Sequence, residues 1–171
     1  KMPCSTSSAE AVLNVMYRRH AACINQCVHN QLVLSENNLT LERLKLKPNE
    51  SLQALFLRKN KIKVLPSEIG KLEGLRKLSL NLNEITTLED GIAGLQKLEE
   101  LSLYQNKLTA IPKICYQLPG LKVIDLYYNQ IQRIDEEISN LKSLEILYLA
   151  NNRIHTLPDN IGDLSSLEEL Y

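Results

Sequence analysis

Apolar and polar positions in this chain follow two rules that take turns. Leu52, Leu55 and Leu57 open a short block in which apolar and polar residues alternate, and Ile62, Leu65, Ile69 and Leu72 follow at wider spacing. The same order restarts at Leu75, Leu98, Leu121 and Leu144, begins again at Leu167, and has a degenerate forerunner through Leu32, Leu34, Asn37 and Leu39. Each restart comes 23 residues after the last. Period-two alternation over so short a run predicts a strand that buries one face, so every unit contributes one short parallel strand. The second half of the unit carries a proline such as Pro66, which has no backbone donor, and predicts a return leg of helical turn or extended coil.

An asparagine marks the same place in every unit: Asn37, Asn60, Asn83, Asn106, Asn129 and Asn152. Its side chain offers two donors and an acceptor, so a stacked column of asparagines predicts satisfaction of the backbone groups at the tight bend after the strand. The column reads as structural, not as an active site.

The full unit, LxxLxLxxNxIxxLPxxIGxL, resembles the leucine-rich-repeat family in a 23-residue class, over Leu32 to Tyr171. The resemblance implies an α/β leucine-rich-repeat solenoid, a curved horseshoe with parallel strands on its concave face. Two regions are expected. Residues 30–171 form the solenoid, its last repeat incomplete and its C-terminal cap absent. Residues 1–29 form an N-terminal helical cap: Ser7 followed by Glu10 is a capping-box signature, and Val12, Met16, Cys23, Ile24 and Cys27 share one stripe of a helix running to about Cys27. Such a helix would cover the open end of the first coil.

Charge and candidate chemistry narrow the function classes. Lys and Arg total 20 and Asp and Glu total 20, so no net field argues for nucleic acid or an anionic membrane, and no apolar run approaches a spanning length. Cys23 and Cys27 with His20 and nearby Cys4 have poor geometry for a disulfide or a complete zinc site, and they fall where apolar cap residues belong, as Cys115 falls on the isoleucine of the IG pair. Reduced core thiols and an intracellular setting follow. No nucleophile elbow, Walker loop or HExxH occurs, and His20, His29 and His155 are scattered, His155 reading as a solvated loop residue. The expectation is no enzyme, no cofactor and no metal.

The variable positions beside the LxL strand are expected on the concave surface. One column reads Phe56, Ser79, Ser102, Asp125, Tyr148 and Tyr171; the next read Arg58, Asn81, Tyr104, Tyr127 and Ala150, then Lys59, Leu82, Gln105, Tyr128 and Asn151. Six of the eight aromatic residues fall in these columns, and exposed tyrosines with arginine are enriched at interface hot spots. Strand tyrosines that merely pack on each other are the plainer alternative. A gradient runs from Arg58, Lys59 and Lys77 to Glu100, Asp125 and Glu169.

The expected function is therefore a non-catalytic module, a monomer apart from its partner, that binds a folded protein through Phe56, Arg58, Lys59, Lys77, Tyr104, Asp125, Tyr127, Tyr128, Tyr148 and Tyr171. The LPxxIGxL form, complete in Leu65–Leu72 and Leu157–Leu164, is similar to intracellular repeats of plant, Ras-scaffold and bacterial pathogen proteins. That similarity implies an effector delivered by a bacterium into host cytoplasm, where it recruits or inhibits an enzyme. Two alternatives stay open: a substrate-targeting domain of a ligase, kinase or phosphatase whose catalytic part lies beyond Tyr171, and an extracellular receptor, which would need cysteine-bonded caps.

Overall fold

The structure, a computed structural model, describes residues 26–28, 30–35, 48 and 50–171, residues 26–28 by their backbone. Its principal sheet has eight strands: β1 (Gln26–Val28), β2 (Gln31–Val33), β3 (Ala54–Phe56), β5 (Lys77–Ser79), β7 (Glu100–Ser102), β8 (Val123–Asp125), β9 (Ile146–Tyr148) and β10 (Glu169–Leu170). From β2 onward every neighbouring pair is parallel and offset by one repeat, Leu32 opposite Leu55, Leu55 opposite Leu78 and so on to Leu147 opposite Leu170. A second, two-stranded parallel sheet joins β4 (Val64–Leu65) to β6 (Thr87–Leu88) on the return legs.

The return legs close as 3₁₀ turns at Ser67–Lys71, Asp90–Gly94, Lys113–Gln117, Glu136–Asn140 and Asp159–Asp163. Pro66, Pro112 and Pro158 stand immediately before three of them, where the chain is extended and the fixed proline φ costs nothing. Glu89 and Asp135 hold the same backbone geometry in the other two, so proline is favoured at this bend without being required. Among the described residues there is no α-helix.

One core runs the length of the stack. Leu52, Leu55, Leu57, Ile62, Leu65, Ile69 and Leu72 of one coil are all buried, and their equivalents continue through Leu144 and Leu147. Each coil alone would expose this apolar set; stacking removes it from water, so stability resides in the interfaces between neighbours.

The asparagine column does what its chemistry predicts. Asn83 Nδ2 donates to the carbonyls of Leu57 and Leu80, both at 2.9 Å, and its Oδ1 accepts the Ile62 amide at 3.1 Å. Asn106, Asn129 and Asn152 repeat the arrangement. Asn37 lies outside the described residues.

The expected cap needs one correction. Its helix, read to about Cys27, is contradicted at its end: Gln26–Val28 is a strand, paired antiparallel with β2 around Asn30, whose φ is 63°. Backbone pairing to the exposed edge of β2 outweighs the helical stripe there, because an unpaired strand edge leaves donors and acceptors unmet. The remainder of the cap, with Ser7, Glu10, Cys4, Cys23 and the histidines His20 and His29, lies outside the described residues.

Candidate functional site

Three residues of each strand alternate about the sheet. Leu55, Leu78, Leu101, Ile124 and Leu147 point into the core, so their neighbours on either side point out. Two outward columns arise on the strands: Ala54, Lys77, Glu100, Val123, Ile146 and Glu169, and then Phe56, Ser79, Ser102, Asp125 and Tyr148, to which Tyr171 is added just past β10. A third, Arg58, Asn81, Tyr104, Tyr127 and Ala150, follows the buried leucine that ends each strand.

Lys59 and Tyr128 lie just past the strands. With Leu82, Gln105 and Asn151 they occupy the left-handed region, φ between 53° and 57°, as the chain turns off the sheet toward the ladder asparagine. A non-glycine residue held there costs of order 1–2 kcal/mol, so the bend is enforced by the stack and not by local preference.

The tyrosines form one contact chain across four coils. Tyr104 meets Tyr128 edge-on with ring centroids 5.6 Å apart, and Tyr128 lies 6.2 Å from Tyr127. Tyr127 stacks on Tyr148 at 5.6 Å, and Tyr148 on Tyr171 at 5.1 Å. Each such pair contributes about 0.5–1.5 kcal/mol, so the packing reading of these residues holds. It does not consume their surface: Tyr128 remains 51% exposed and Tyr171 55%. The Tyr171 hydroxyl donates to Glu169 at 3.0 Å, and that bond and the carboxylate charge push its phenol above the usual range.

Beside the tyrosines lies a polar floor that the periodic pattern does not single out. Ser102 Oγ is 2.6 Å from Asn81 Oδ1 and 2.9 Å from Asp125 Oδ2. The Tyr104 amide donates to Asn81 Oδ1 at 3.0 Å and the Tyr127 amide to Asp125 Oδ1 at 3.1 Å. A depression of about 350 Å³ opens above them, with Phe56 and Tyr148 among its lining. The membership of Asn81, Ser102 and Asp125 in outward columns was legible; their spacing of 21 and 23 residues, which brings them together on neighbouring coils, was the available signal.

The charge gradient is interrupted. Lys77 pairs with Glu100 in the next coil, and Arg76 with Glu99 beside it. Arg58 is exposed at the N-terminal side, and Asp125 is left without a cationic partner among the described residues. The other chemistry-bearing groups lie apart. His155 is exposed, and Cys115 is a buried free thiol whose pKa burial pushes up to about 12, which makes it inert. Among the described residues no cluster of His, Cys, Asp or Glu is arranged to hold a metal, and no helix is long and apolar enough to cross a membrane.

Comparison with known proteins places the chain. The leucine rich repeat family model matches residues 50–108 and 96–154. No curated protein sequence matches. Among solved structures, the leucine-rich-repeat ectodomain of the plant membrane receptor kinase GASSHO1/SCHENGEN3 from Arabidopsis thaliana, in complex with CASPARIAN STRIP INTEGRITY FACTOR 2, is 33% identical, with a TM-score of 0.65 over 82% of this chain and 18% of that one. PEPR1, solved with AtPEP1, is 26% identical, with a TM-score of 0.74 over 97% of this chain and 28% of that one. The chain thus spans less than a third of either relative's length. With the repeat matched over residues 50–154 and the parallel stack built on it, the chain belongs to the leucine-rich-repeat family, whose solenoids are generally non-catalytic interaction scaffolds.

Proposed function

We propose that this solenoid docks a protein partner on its concave strand face, with Tyr104, Tyr127, Tyr128 and Tyr148 as central anchors and Arg58 and Lys59 contributing charge from the N-terminal side. The observation that carries the reading is the unbroken tyrosine contact chain from Tyr104 to Tyr171, because mutually packed rings are already ordered before a partner arrives. Preorganised tyrosine surface loses little rotamer entropy on binding and supplies both apolar area and a polar tip. Both structural relatives were solved in complex, GASSHO1/SCHENGEN3 with CASPARIAN STRIP INTEGRITY FACTOR 2 and PEPR1 with AtPEP1, which supports binding as the activity of this chain. Docking on a rigid face can recruit a partner or block an enzyme's cleft; the effector role implied by the repeat subclass is one setting for either.

Affinity capture from host and source-organism lysates tests the reading, with the chain compared to a Tyr104→Ala, Tyr127→Ala, Tyr128→Ala variant whose fold is verified by circular dichroism. A protein retained by the parent chain and lost from the variant is the expected result. Retention of the same proteins by both would move the binding surface off the tyrosines.

A further inference from the structure

The polar floor beside the tyrosines is short of protons. Asn81 is oriented by the Tyr104 amide, which its Oδ1 accepts, so that oxygen faces Ser102 Oγ as an acceptor. Asp125 Oδ2 faces the same hydroxyl from the other side. Ser102 has one hydrogen for two acceptors at 2.6 and 2.9 Å, so one of the two close oxygen contacts holds no proton. Ser79, only 8% exposed and lining the same depression, makes no hydrogen bond through its hydroxyl to any described residue. Close acceptors without a donor between them are costly, and Ser79 adds a hydroxyl at the depression whose lone pairs no described residue uses.

Charge points the same way. On the outward strand columns the residues from Glu100 onward include Glu100, Asp125 and Glu169 and no cation. Lys77, which also lines the depression, is paired with Glu100. Asp125, half-buried at one end of this row, has no cationic partner among the described residues.

Resting on the concave-docking reading and deepening it, we propose that this floor receives an arginine side chain of the partner. A guanidinium is flat and presents five donors in a fixed fork. It can meet Asp125 Oδ2 and relieve the contest for the Ser102 proton, while Ser79 offers an acceptor lone pair and the tyrosine chain lies alongside for the aliphatic stem. An ammonium is a compact, strongly hydrated point charge and matches several acceptors spread over three coils less well.

The test uses the whole chain in solution and N-acetyl-arginine amide as the probe, followed by amide chemical shifts. Saturable shifts at Ser79, Ser102 and Asp125, with a millimolar apparent Kd, are expected. N-acetyl-citrulline amide, equal in shape but neutral, should leave those amides in place, and N-acetyl-lysine amide should bind more weakly. Asp125→Asn keeps an acceptor for the Tyr127 amide, so it should fold, yet weaken the arginine probe about tenfold or more. Ser79→Ala provides a second variant with a smaller loss. Absence of saturable shifts, equal shifts with citrulline, or binding unchanged in Asp125→Asn would each overturn the proposal. None of those results touches capture by the tyrosine face, which fails only if its own triple variant keeps its partners.

Discussion

The Oδ1 of Asn83 accepts the amide of Ile62 from the coil before it, at 3.1 Å and out of contact with water. The carbonyls to which Asn83 donates are less dependent on it, because Leu57 also receives Asn60 and Leu80 also receives Asn106. Replacing Asn83 by alanine therefore leaves one true orphan, the Ile62 amide, plus three thinned carbonyls, those of Leu57, Leu80 and Asn81. The expected cost is about 2–4 kcal/mol in urea unfolding. Asn152→Ala should cost less, since Asn152 is only half-buried near the end of the described stack. Equal losses at the two positions would contradict this account of the ladder.

Gly70 and Gly162 occupy the same place in their repeats and should respond differently to alanine. A Cβ on Gly70 would fall 2.0 Å from the carbonyl oxygen of Gly91 in the next coil, a backbone atom that cannot step aside. A Cβ on Gly162 would meet nothing within 4 Å. Neither glycine has a positive φ, so the requirement at Gly70 is room between return legs and not backbone freedom. Thermal unfolding should show Gly70→Ala destabilised by about 1–3 kcal/mol and Gly162→Ala within about 0.5 kcal/mol of the parent. A tolerated Gly70→Ala would mean that the first two 3₁₀ turns separate at little cost.

These two columns show why so much of the fold was readable. A repeat of 23 fixes the register of every parallel pair from β2 on, and burial of Leu55 and Leu57 follows from their alternation alone. The β1 strand was not readable, because Val12 through Cys27 carry a helical stripe and only the free edge of β2 makes Gln26–Val28 extend. Nor does alternation foresee the left-handed turn at Tyr128, where the strand face has already ended. At the candidate site the tyrosine columns were legible. The contested Ser102 proton was not, because it depends on distances among Asn81, Ser102 and Asp125 on three different coils.

Acid should weaken the stack through inter-coil ion pairs. The Lys107 hydrogen bond, at 2.9 Å, and then its charge hold the Glu84 carboxyl below its ordinary value of 4.5. Glu137 is lowered first by its own backbone amide and then by Lys113 at 3.2 Å. A carboxyl depressed in the folded state favours folding at pH above 4.5, and that contribution disappears as pH falls through the depressed value. The midpoint of thermal unfolding should therefore drop below pH 4.5. A Glu84→Gln, Glu137→Gln double variant should show a shallower drop, and added salt should narrow the difference. An identical acid limb in parent and double variant would exclude these pairs as its source.

Cys115 should limit stability at the opposite end of the pH scale. It replaces the isoleucine of the IG pair and is 1% exposed, and burial raises its thiol from 9.0 to about 12. The unfolded chain releases that proton from pH 9.0 upward while the folded chain keeps it, so folding loses stability as pH climbs from 9.0 toward 12. At pH 8 the same burial should make alkylation of Cys115 by iodoacetamide, followed by peptide mass mapping, slow until urea opens the stack. A Cys115→Val variant removes the ionisable group at nearly constant volume, and its stability between pH 9 and 11 should fall less than that of the parent. Fast alkylation of the folded chain, or an unchanged alkaline limb in the variant, would show that the third return leg opens on its own and that this part of the core is not closed to solvent.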